Sequence, residues 1–239
     1  MDKTDVISVK NLDFAYESHE SILRDLSFSI PDKSICALVG PNGSGKTTLL
    51  KIFLGLLTPQ KGEVLVLGKM PFAARGEVAY VPQRFSFDRS FPITVFEFLH
   101  FSHPSFPREE IKKYLDHLNI GEMVDTKLGY LSGGQMQRVL VVRAILGSPK
   151  IIFMDEPAAG IDIGGEQNFY ELILHLHNEH QSTIVMVSHE LDIVANFANF
   201  VLCLNKKLVC YGKPEKVLTL QTLQDLYGKE ATVYRHKEK

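Results

Sequence analysis

A short apolar run, Ile35-Cys36-Ala37-Leu38-Val39, turns directly into Gly40-Pro41-Asn42-Gly43-Ser44-Gly45-Lys46-Thr47 and then into a helical pattern over residues 47–57. No other stretch limits the fold so tightly. A buried strand that breaks into glycines and at once into a helix aims a ring of backbone N–H groups at one point. The loop fits the pattern G-x-x-x-x-G-K-[ST], whose glycines remove the Cβ atoms that would block close approach. Lys46 can then reach outer phosphates, and the Thr47 hydroxyl can ligate Mg²⁺. Residues 40–47, with Thr48 behind them, therefore predict a nucleoside triphosphate site.

Further apolar runs at residues 64–67, 78–81, 151–154 and 183–187 read as strands, several too uniformly apolar for a sheet with one wet face. Such runs suit a parallel sheet covered by helices. Helical patterns at 47–57, 135–146 and 167–180 supply the cover. Residues 7–14 and 26–30 alternate more and predict antiparallel strands. The segment 85–106 holds seven of the fifteen phenylalanines, and 108–119 is helical in pattern. Together they predict an inserted helical subdomain in which most of these rings fill a small core, while those before Pro92 could line a groove for a partner's helix.

Composition excludes several classes. A net charge of −2 gives no general pull toward nucleic acid or anionic lipid. No apolar run approaches the length of a membrane span, and Met1-Asp2-Lys3-Thr4-Asp5 lacks the apolar core of a signal peptide. Three cysteines without C-x-x-C spacing suit a reducing compartment. Cys203 and Cys210 could face each other across a hairpin turning at Lys206-Lys207, and we expect two packed thiols there.

A second anion grip lies 86 residues beyond Lys46, at Leu131-Ser132-Gly133-Gly134-Gln135. Ser132 is a good N-cap, and the glycines open the positive end of the helix to another molecule. One nucleotide needs one such loop. The surplus implies either a second ligand or a site shared between two chains.

These residues resemble the signature motif of ABC ATPases, and roughly residues 5–220 follow that family's motif order. Ile151-Ile152-Phe153-Met154-Asp155-Glu156 resembles its Walker B strand and following glutamate, Gln83 its Q-loop, Ala159-Gly160-Ile161-Asp162 its D-loop and His189 its switch histidine. Tyr16 stands where the family stacks an aromatic on adenine. The resemblance implies an α/β P-loop NTPase (RecA-like) core with a mostly parallel sheet and an antiparallel β subdomain, in one domain of 239 residues. Its catalytic core would span residues 1–84 and 141–239, with the helical subdomain at about 85–140.

It further implies ATP and Mg²⁺ as ligands and a head-to-tail homodimer. Each Ser132, Gly133, Gly134 and Gln135 would close on the nucleotide held by the partner's loop. Thr47, Gln83 and Asp155 are the implied metal ligands, Glu156 the general base, and His189, Gln83 and Lys46 its catalytic companions. Asp155, alone, could instead serve as a helix N-cap. The D-loop departs from the common Ser-Ala-Leu-Asp, which puts a cross-dimer hydrogen bond in doubt.

The phosphate loop and signature are too close for the coiled-coil insertion of DNA-repair relatives. A lone ATPase domain of this length resembles a transporter subunit on the cytoplasmic side of the cell membrane, held there by a separate permease and served indirectly by an extracytoplasmic solute-binding protein. Gln83-Arg84, Asp88 and Phe91-Pro92-Ile93-Thr94-Val95, with Ala158-Ala159-Gly160-Ile161-Asp162, resemble the zinc and manganese importers. Import of another solute and a soluble ATPase on an iron–sulfur scaffold are the alternatives, with a barely hydrolysing regulatory module a third.

Overall fold

The computed structural model describes residues 5–17, 20–159, 161 and 163–228. In chain order these form β1 (Asp5–Phe14), β2 (Leu23–Pro31), β3 (Ile35–Val39), α1 (Lys46–Phe53), β4 (Lys61–Val66), β5 (Val78–Val81), α2 (Val95–Ser102) and α3 (Arg108–His117). They continue with α4 (Gly133–Leu146), β6 (Ile151–Asp155), α5 (Ile163–His180), β7 (Thr183–Val187) and α6 (Leu191–Phe197). Last come β8 (Phe200–Asn205), β9 (Lys207–Gly212), α7 (Pro214–Val217) and α8 (Leu220–Tyr227). The chain forms two compact units, Met1–Arg75 with Val185–Lys239, and Gly76–Ile184.

In the first unit, β2, β1 and β4 form an antiparallel sheet with β1 in the middle. Val9 pairs with Phe28 on one side and Val64 on the other. The expectation that residues 64–67 join a parallel sheet is therefore corrected. The strand starts earlier, at Lys61, and only Val64 and Val66 are buried while Leu65 is partly exposed. Four apolar residues are too short a window to separate alternation from uniform burial.

Strand β3 is buried along its whole length and pairs in parallel with β8, Cys36 opposite Phe200 and Val39 opposite Cys203. Uniform burial is what a strand covered on both faces requires, and its apolar sequence meets that requirement. Strands β8 and β9 form an antiparallel hairpin that turns at Lys206, whose φ is 58°. Cys203 and Cys210 are direct cross-strand partners, 4.7 Å apart at Cα and joined by a disulfide. The expectation of two packed thiols is thus corrected: register places the two side chains opposite each other within bridging distance. Cys36 remains a free, buried thiol whose pKa burial raises to about 12.

In the second unit, β5 and β6 pair in parallel, Val78 opposite Ile151 and Val81 opposite Met154. Helix α4 is buried on every side over its middle, at Val139, Leu140, Val141 and Val142, while its start at Gly133 is exposed. Helices α2 and α3 pack on each other and on α4. Their inward residues recur at helical spacing, Val95 with Leu99 and Ile111 with Leu115, and all four are buried.

The aromatic segment differs from expectation. None of Phe85, Phe87, Phe91, Phe96, Phe98, Phe101 and Phe106 is fully buried, and Phe91 and Phe101 are 60% and 74% exposed. Aliphatic side chains take the core, and the rings take its rim. Several stack on cations there: Arg143 lies 5.8 Å from the centre of the Phe85 ring and 5.5 Å from that of Phe98, and Arg108 lies 5.0 Å from that of Phe96.

Candidate active site

Gly45 is the N-cap of α1 in a left-handed conformation (φ 101°), and no side chain caps this helix. The first backbone N–H groups of α1 therefore point into the loop, as an anion site needs. Two glycines are sterically obligatory. A Cβ on Gly40, at φ +154°, would lie 2.0 Å from the Leu204 carbonyl oxygen, and one on Gly45 would lie 2.5 Å from a Leu23 methyl. Gly43 has φ +77° and open space beyond its Cα, which suits the side that a ligand approaches.

Lys46 is 6% exposed, and its ammonium donates to the carbonyl oxygens of Gly40 at 2.7 Å and Pro41 at 2.9 Å. The cation thus lies along the inside of the loop. Among the described residues the Ser44 hydroxyl is buried without a hydrogen-bond partner, a group that a phosphate oxygen would satisfy. From behind, the Lys206 N–H donates to the Ser44 carbonyl at 3.0 Å. Sequence reasoning missed this support by the β8–β9 turn, because no motif links positions so far apart.

Tyr16 and Thr48 meet at the edge of the loop, with their hydroxyl oxygens 3.5 Å apart. The Tyr16 ring is held edge-on by Phe14, at 4.9 Å between centres, and is 39% exposed. An anchored yet accessible ring is what base stacking requires. His189 is exposed on the turn after β7, and the Ser188 N–H donates to the Leu38 carbonyl at 3.3 Å. That bond ties the histidine's turn to the strand that feeds the phosphate loop.

Gln83, Asp155, Glu156 and the glycine-rich helix start belong to the second unit. Asp155 ends a strand buried throughout and is itself 5% exposed. Burial, and then the negative charge of Asp155, push the Tyr80 phenol up to about 12. Glu156 has φ 46°, uncommon for a residue with a Cβ. Backbone strain of this kind concentrates where a side chain must be aimed. Gln83 donates from its side-chain amide to the Glu156 carboxylate, so two residues 73 positions apart in sequence are brought together.

Ser132 caps α4 in a reciprocal box. Its hydroxyl accepts from the Gln135 N–H at 3.2 Å, and its own N–H donates to the Gln135 side-chain oxygen at 2.9 Å. Gln83, Ser132 and Gly133 line one cleft of about 370 Å³, together with Arg84, Phe85, Phe87 and Arg89. The buried Gln137 in the same wall donates to the Pro82 carbonyl at 3.3 Å, linking α4 to the glutamine-bearing loop. Of the D-loop, Ala159 and Ile161 lie in a turn, while Gly160 and Asp162 lie outside the described residues.

A strand-loop-helix phosphate grip, a strand-end acid with an adjacent strained glutamate, and a capped glycine-rich helix define an ATP-hydrolysing cassette. Residues 23–159, more than half of the chain, match the family described as ABC transporter, and the chain belongs to that family. Its activity is that of an ATPase.

Among its relatives, the zinc import ATP-binding protein of Pasteurella multocida is 38% identical over 239 residues, covering 98% of this chain and 88% of that protein. The zinc import ATP-binding protein of Wigglesworthia glossinidia brevipalpis is 34% identical over 235 residues, covering 97% and 98%. An inward-facing metal-chelate-type ABC transporter superposes with a TM-score of 0.80 at 29% identity, over 93% of this chain and 88% of that one. An ATP-binding cassette of an ABC transporter in its ADP conformation gives 0.79 at 25% identity, over 95% and 100%.

Proposed function

We propose that this chain is the ATP-hydrolysing subunit of an importer for a divalent metal ion of the zinc or manganese type. The observation that carries this reading is the identity of more than a third, over nearly the full length, with a zinc import ATP-binding protein. In this reading the whole chain acts as one ATPase domain, with residues 85–140 as its helical subdomain.

The loop from Gly40 to Thr48 holds the phosphates, and Tyr16 carries the adenine. Thr47, Gln83 and Asp155 would hold Mg²⁺, whose role is to draw charge from the phosphate oxygens. The donors fit that ion: a hydroxyl, an amide oxygen and a single carboxylate are hard oxygen ligands, and Mg²⁺ keeps several waters besides. Glu156 accepts a proton from the attacking water, Gln83 orients it, and His189 donates to the γ-phosphate or to that water. Lys46 moves its charge from the loop carbonyls toward the outer phosphates.

Two copies close head to tail, so that Ser132, Gly133, Gly134 and Gln135 of each complete the nucleotide site of the other. The cleft beside Gln83, walled by Phe85 and Phe87, is where a cytoplasmic helix of the permease docks. Among the described residues no helix is long and apolar enough to cross a membrane, which is consistent with attachment through such a partner at the cytoplasmic face. An extracytoplasmic receptor would deliver the ion to the permease.

Uptake of labelled zinc and manganese in a strain lacking this gene, with and without complementation, tests the reading. Restored uptake of either ion supports it. Normal metal uptake in the deletion strain, with loss of another solute or of iron–sulfur enzyme activity, would replace it with an alternative.

A further inference from the structure

The hairpin of β8 and β9 backs the phosphate loop closely. Val39, the residue before Gly40, pairs in parallel with Cys203. The Leu204 carbonyl leaves no room for a Cβ on Gly40, and the Lys206 N–H donates to the Ser44 carbonyl at 3.0 Å. Residues 203–206 therefore run along the rear of the loop that would hold the triphosphate.

The hairpin ladder is interrupted in this same stretch. Cys203 pairs with Cys210, but Leu204 pairs with Leu208, so Val209 is an extra residue on β9. Such a bulge disrupts the ladder locally and bends the strand. At the last regular pair before it, the Cys203–Cys210 disulfide supplies a covalent tie. The two sulfurs are not equally placed. Cys203 is fully buried, whereas Cys210 is partly exposed, so thiol chemistry can enter the pair only through Cys210. Where small thiols are kept reduced, a disulfide is usually transient and redox-sensing.

We propose that Cys210 is a redox modification site, with Cys203 as its resolving thiol, and that their bond sets how firmly the phosphate loop is held for ATP. The oxidant is a small-molecule disulfide of the glutathione class. The Cys210 thiolate attacks one of its sulfurs, forms a mixed disulfide and expels one thiolate. Cys203, giving its proton to water, then attacks the Cys210 sulfur and expels the second thiolate. The protons lost by the two cysteines end on the two small thiols, so the pair is oxidised and the small disulfide reduced. A surplus of small thiol runs the exchange backward. Breaking the bond frees the bulged end of the hairpin and loosens the hydrogen bond from Lys206 to Ser44. That raises the ordering cost of binding a nucleotide. The inference rests on residues 40–48 gripping the phosphates of ATP, and it requires no particular transported solute.

The test poises the full chain in oxidised or reduced glutathione, counts free thiols by mass after alkylation, and measures Kd for Mg-ATP at equilibrium. Reduction should open the pair and raise Kd by about 2- to 10-fold, the worth of one weakened hydrogen bond, and reoxidation should restore it. This comparison uses one chain in two oxidation states and needs no variant to fold. Cys210→Ser should show the reduced affinity in both buffers. Equal affinity in the two states of the parent chain overturns the proposal, as does a bond that excess reduced glutathione leaves closed. So does a redox response that survives Cys210→Ser, since it would belong to another thiol. Failure of Mg-ATP to bind in either state would remove the phosphate-loop reading, and the proposal with it.

Discussion

The phosphate loop and the glutamine-bearing segment hold their functional groups by different means. In the first, backbone does the holding: Gly40 and Gly45 have no room for a Cβ, and carbonyls and amides of the β8–β9 turn press on the loop from behind. In the second, side chains do it. Gln83 is tied to Glu156, Ser132 to Gln135, and Arg143 braces Phe85 and Phe98 while donating to the Tyr80 carbonyl at 3.3 Å. A site clamped by backbone resists reshaping, whereas one made of side-chain pairs can exchange partners. The contrast is between a loop whose shape is set by backbone and a segment whose side-chain pairs can exchange.

The largest effect should come from severing the chemistry on the side-chain-built part. Glu156→Gln removes the base, and hydrolysis should slow by about 10²–10⁴-fold while ATP still binds. Single-turnover hydrolysis together with nucleotide binding checks this, and near-normal turnover would take Glu156 out of the mechanism.

Next in size is the covalent staple behind the loop. Replacing Cys203 and Cys210 with alanine frees a short hairpin loop, and stability should fall by about 2–3 kcal/mol in non-reducing buffer. Denaturant unfolding measures it, and reductant should erase the difference between variant and parent. A stability gap that survives reductant would assign the loss to packing of the two sulfurs instead.

The smallest effect concerns coupling. Phe87→Ser strips one ring from the cleft wall and should cut transport by about tenfold, a typical loss for an interface residue, while basal ATPase survives. Transport and hydrolysis measured in the same vesicles separate the two. Equal loss of both would mean that the ring serves folding, and the contrast between the two regions would then weaken.

Much of the site was legible in the sequence. The strand, the glycine loop and the start of α1 were predictable because each of their constraints is local: apolar uniformity, absent Cβ atoms and helix nucleation lie within a dozen residues. Ser132 as the cap of α4 was local in the same sense, although its partnership with Gln135 makes that glutamine a structural brace as well as a candidate ligand contact. The phenylalanines misled because hydrophobicity does not say which of two apolar side chains goes inside. Leu99 and Ile111 won the core, and the rings went to cations at its rim.

The amino-acid sequence alone determined the glycine loop between strand and helix, the acid and glutamate at the end of an apolar strand and the capped glycine-rich helix start, since each motif encodes its own geometry over a few residues. Only the tertiary structure decided that β4 joins the antiparallel sheet, that Cys203 meets Cys210 and that Gln83 meets Glu156. Those pairings depend on register and on how distant segments pack. Both are set by the summed burial of the whole core, which no single stretch of sequence encodes.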